Sequence, residues 1–170
     1  MKLNKKFILK TLIYALLLLV LAAIQTQERY ALRIMGAAPD LLLCAAMSAA
    51  VFEQGRYAAV TAFVAGFLSD CAFGAPYLMS GLLLFICAYA GAYAAERYLG
   101  KRLFTALALT ALAAALRGAL NVFVALGLWK NFDLPSLLVR VILPEFALTV
   151  AFAVPVYFAV KYAAARVEYK

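Results

Sequence analysis

Residues 66–93 read GFLSDCAFGAPYLMSGLLLFICAYAGAY. One acid, Asp70, sits near the end of an otherwise apolar run, and a Gly74-Ala75-Pro76 turn follows at once. From Tyr77 to Ala95 no residue is charged. About 20 apolar residues are enough to carry a helix across about 30 Å of hydrocarbon. Gly and Pro together punctuate helices strongly. The stretch therefore predicts two membrane-crossing helices joined by a turn too short to hold a domain, with a carboxylate kept at their junction.

The rest of the chain has the same character. It is 170 residues long and 68% apolar, with a mean hydropathy of +0.96, whereas soluble domains are nearer half apolar. The reading is an all-α integral membrane protein with a single transmembrane domain over 1–170 and no room for a soluble catalytic or nucleotide-binding module. The net charge of +8 is spread over short connections rather than gathered in one patch, which argues for membrane topology and against nucleic acid. The chain has no histidine, so the commonest general base and metal ligand is missing. Cys44, Cys71 and Cys87 lie in predicted spans without a C-x-x-C pair, which suggests neither a disulfide framework nor a zinc site. No nucleophile–base pair or metal set appears within the spans, so the protein is read as no enzyme, without cofactor or metal.

Six helices are expected, over about 10–27, 39–52, 57–73, 77–96, 103–128 and 136–162. The basic start followed by an apolar run also has the outline of a signal peptide. The later spans need an inner-side beginning, so it is read as a retained first helix. With this arrangement eleven lysines and arginines fall on inner segments and three, Arg29, Arg33 and Lys130, on outer ones. That asymmetry predicts both termini in the cytoplasm. Two faces of small residues stand out as helix-packing candidates: Ala58, Ala62 and Gly66 on the third helix, and Ala88, Gly91, Ala92 and Ala95 on the fourth. Such faces let helix backbones approach closely in lipid.

Charges within spans cost roughly 2.5–3.5 kcal/mol each at the bilayer centre, so they are expected to be paired or functional. Asp40, Asp70, Arg117, Arg140 and Glu145 fall within or at the ends of spans, and Asn121 shares a helix face with Arg117 at spacing four. Depth alone places Asp40 and Asp70 near the outer surface, Arg140 about one turn inside it, and Arg117 and Glu145 near mid-membrane. The expected pairing is Arg117 with Glu145, and Arg140 with Asp70 and Asp40. Those residues are candidates for partner or pocket roles as well as for structural ion pairs.

Several of these segments resemble the rod shape-determining protein MreD family: Pro39-Asp40-Leu41-Leu42-Leu43, Gly66-Phe67-Leu68-Ser69-Asp70, Phe73-Gly74, Gly81-Leu82 and Tyr89-Ala90-Gly91. The resemblance implies a non-enzymatic scaffold of the bacterial inner membrane, within the cell-elongation complex. Its implied partners are MreC, whose membrane helix it would dock, and through or beside MreC the peptidoglycan synthase RodA with a class B penicillin-binding protein. It also implies a bundle like the substrate-binding components of energy-coupling-factor transporters. The competing reading is such a component itself, capturing a vitamin-type solute in an outward pocket lined by Asp40, Asp70 and Arg140.

Overall fold

The computed structural model describes residues 5–26, 38–53, 55–73, 79–128 and 142–168. They form helices and no strands: α1 (Lys5–Thr26), α2 (Leu41–Phe52), α3 (Gly55–Phe73), α4 (Met79–Ala94), α5 (Leu103–Leu128) and α6 (Leu143–Glu168). Leu- and Ala-rich sequence favours this state throughout. A π-helical turn, Ala95–Leu99, extends α4 and stops at Gly100, whose φ of +69° a side chain would disfavour. The expected Gly74-Ala75-Pro76 turn and the outer connections at Glu28–Gly36 and Asn131–Pro135 lie outside the described residues, as does Arg140. The last helix runs to Glu168, beyond the expected end near 162, and keeps Pro155 inside it.

The bundle is built around its shortest member. Every residue of α2 from Leu41 to Val51 is buried, and all five other helices contact it. Asp40 caps its first turn by accepting from the Leu43 N–H at 3.1 Å, which satisfies a donor that the helix itself leaves open. At the other end the Lys101 ammonium donates to the Phe52 carbonyl at 3.3 Å. Twelve residues make a helix only about 18 Å long, short of a bilayer core of about 30 Å. One end of α2 therefore stops inside the bundle, a point on which the site depends.

Helices α3 and α4 pack most closely at Gly66 and Gly81. A Cβ placed on Gly66 would lie 2.6 Å from the Gly81 Cα and 2.8 Å from the Ser80 carbonyl oxygen. Ala58, Ala62, Ala88, Ala92 and Ala95 are all buried. Gly91 is turned instead to α5, where a Cβ would come within 3.0 Å of the Leu109 side chain. Two buried hydroxyls are satisfied within their own helices: Thr61 donates to the Tyr57 carbonyl at 2.8 Å and Thr110 to that of Ala106 at 2.7 Å.

The outside is apolar where the inside is small. Leu16, Phe63, Ile86, Leu112, Phe123 and Phe158, drawn from α1, α3, α4, α5 and α6, are all exposed. Two helices, over Leu103–Phe123 and Leu143–Ala165, are long and apolar enough to cross a membrane by themselves.

Candidate functional site

Helix rise fixes where polar groups meet. Measured from the end that carries Lys10, Glu53, Lys101 and Lys161, Gln25 lies about 22 Å along α1, Asp40 about 20 Å beyond Glu53, and Arg117 about 21 Å along α5. Ser69 on α3 and Thr149 on α6 lie at about 21 and 18 Å on the same scale. Five helices thus bring polar side chains to one level of an apolar bundle.

Asp40 is the hub of this layer. Its carboxylate pairs with the Arg117 guanidinium, caps α2, and accepts from the Gln25 amide at 3.3 Å. The other Gln25 atom, Oε1, accepts from the Leu42 N–H at 3.3 Å. The Asp40 backbone N–H donates to Thr149 Oγ1 at 3.1 Å, and that hydroxyl donates to the Glu145 carbonyl at 2.7 Å. Arg117 uses its second terminal nitrogen on Ser69 Oγ at 3.0 Å. Cys44, one turn into α2, donates its thiol to the Thr149 carbonyl at 3.2 Å. Asp40 is only 4% exposed, so an unpaired charge there would be costly. The guanidinium, the amide and the helix's own N-terminal dipole all stabilise it.

This corrects the expected pairing. Arg117 makes its direct ion pair with Asp40, while Glu145, the expected partner, lies near enough to interact with it electrostatically without a contact pair. Glu145 instead lines a narrow cleft over the pair, together with Asn121, Gly118, Phe146 and Thr149, and its carboxylate makes no ion pair among the described residues. The reason is the length of α2. Counted as a full span, it puts Asp40 at the outer surface. As a helix of twelve residues, it delivers Asp40 to the level of Arg117.

Asp70 belongs to a separate junction. Its Oδ2 accepts from the Ser80 backbone N–H at 3.1 Å, in the first turn of α4. It is 3% exposed, and its Oδ1 has no hydrogen-bond partner among the described residues. Asp40 and Asp70 therefore have separate partners. Gln25, Ser69 and Thr149 are members of the layer that the sequence reading passed over. Each is a neutral polar residue in an apolar run at the depth of Arg117, and that coincidence is the signal that would have found them.

The layer is suited to holding helices together rather than to chemistry. Its acid and base are committed to each other, and no group of three or more metal-ligating side chains occurs among the described residues. The space in the cleft is about 20 Å³, room for about one water.

Residues 5–163 match the family model described as rod shape-determining protein MreD. No curated protein and no solved structure matches the chain. The expected likeness to energy-coupling-factor components thus finds no support among solved structures.

Proposed function

The chain belongs to the MreD family, a membrane family of rod-shape determination, and from that premise we propose that it is a non-enzymatic scaffold of the cell-elongation complex in the bacterial inner membrane. It spans the membrane several times, with its basic end and both termini in the cytoplasm. It docks the single membrane helix of MreC and through it helps position RodA and its penicillin-binding partner.

The family match over nearly the whole chain carries this reading. The geometry supports it in two ways. Exposed large apolar side chains on α1, α3, α4, α5 and α6 suit a bundle surrounded by lipid and by other membrane helices. The polar layer, with about 20 Å³ of space, is far smaller than the several hundred Å³ typical of small-molecule sites. Among the described residues the polar layer thus has no room for a vitamin-type solute.

Photo-crosslinking in the host's own membranes tests the docking. A photoreactive amino acid is placed in turn at Phe63, Phe67 and Phe85 on the exposed side of α3 and α4, and at Leu12, Leu16 and Leu112 on the exposed sides of α1 and α5. Docking predicts adducts with one single-span protein, clustered on one face. Adducts scattered evenly over all six positions, or none with a single-span protein, would contradict it.

A further inference from the structure

At the basic end, α1, α2, α5 and α6 leave a cavity of about 330 Å³ lined by Lys10, Glu53, Lys101 and Lys161 with Phe52, Ala164 and Ala165. It is large enough for a headgroup, unlike the cleft at the polar layer. Three lysines against one glutamate leave it net positive. Two of the ammonium groups are held in place: Lys10 pairs with Glu53 and lies 4.9 Å from the centre of the Tyr57 ring, and Lys101 donates to the Phe52 carbonyl at 3.3 Å. Tyr14 donates its hydroxyl to the same Glu53 at 2.9 Å, so the acid's capacity is largely taken up. Lys161 is exposed and has no hydrogen bond or ion pair among the described residues. The positive end of the α5 dipole also begins here, just past Lys101.

We propose that this cavity binds the phosphate of an anionic phospholipid from the inner leaflet. The charge calls for a phosphate, and the surroundings call for one attached to an acyl chain. Phe158, three residues before Lys161 on the same side of α6, is exposed and apolar, as is Phe104 in the first turn of α5. A headgroup seated between Lys101 and Lys161 leads its chains down this apolar surface into the bilayer. The inference rests on reading the basic end as the cytoplasmic side, and it is independent of the docking of MreC.

The test is titration of the purified full chain in mild detergent with short-chain phosphatidylglycerol, read by native mass spectrometry, with phosphatidylcholine and inorganic phosphate as separate probes. Saturable binding of phosphatidylglycerol is expected, weakened about fivefold by Lys161→Gln and by Lys101→Gln, since a lysine near an anionic surface contributes about that much. Arg102→Gln, at the same end but outside the cavity, is expected to leave binding unchanged. Equal binding of phosphatidylcholine, or an equal loss with Arg102→Gln, overturns the site. Displacement of the lipid by inorganic phosphate at equal concentration overturns the lipid as its natural source. Unchanged thermal unfolding of each variant separates lost binding from lost fold. If lipid binds as expected and no partner crosslinks, the docking reading alone fails.

Discussion

Arg117→Leu is expected to lower the stability of the purified protein by about 3–5 kcal/mol, the usual cost of stranding one member of a buried ion pair. The stranded group is Asp40, almost fully buried and fixed at the start of the central helix by its own capping bond. The cleft beside it has room for about one water, too little to solvate a free carboxylate. The partner assignment makes a sharper prediction than the single variant. Adding Asp40→Asn to Arg117→Leu should restore most of the loss, because asparagine still caps α2 and still accepts from Gln25 while carrying no charge. Adding Glu145→Leu instead should restore much less, because Glu145 meets Arg117 only across the cleft while Asp40 is the carboxylate in contact with it. Thermal unfolding of the three variants in one detergent checks this. Rescue by Glu145→Leu and none by Asp40→Asn would return the pairing to the one that depth along the sequence suggests.

Gly66→Ala is expected to cost at least the 1–3 kcal/mol typical of overpacking, whereas Gly81→Ala should be nearly neutral. The two glycines face each other, yet they are not equivalent. A Cβ on Gly66 meets main-chain atoms of Gly81 and Ser80 at 2.6–2.8 Å, and no rotamer change relieves a backbone clash. A Cβ on Gly81 meets its nearest atoms, from Phe63 and Phe67, at 3.5–3.6 Å, an ordinary contact. Since α4 packs on α3 through this point and Asp70 caps the first turn of α4 nearby, separating the helices should also loosen that junction. Unfolding midpoints of the two alanine variants give the comparison. Equal losses would mean that the close approach is not what holds α3 to α4.

Much of the architecture could be read from apolar runs and their punctuation. The two runs on either side of the Gly74-Ala75-Pro76 turn and the run over Leu103–Leu128 are long, apolar and Ala/Leu-rich, with few charges to break them. The small-residue positions were visible for the same reason, since closely approaching helices leave room for little else. What misled was helix two. The expected limits lie within two residues of the helix that forms, but reading its start as the outer surface misplaces Asp40 in depth and so leaves it out of the contact ion pair with Arg117. A helix this short can end inside a membrane bundle only if its open N–H groups are satisfied there. Asp40 does that locally by capping Leu43, but Gln25 and Thr149 do it by contacts far apart in sequence, which no local pattern encodes. The lysine cavity was equally invisible, because its walls come from four helices, and sequence reading saw only separate inner loops.

The central claim, that this chain holds proteins together in the rod-shape complex, is tested most directly by purifying the tagged chain from its own host in mild detergent and identifying what accompanies it by mass spectrometry. The account predicts a single-span coiled-coil protein of the MreC kind, with RodA and a class B penicillin-binding protein. Recovery instead of a pair of ATPases with a coupling membrane subunit would contradict it and make the chain a solute-capture component.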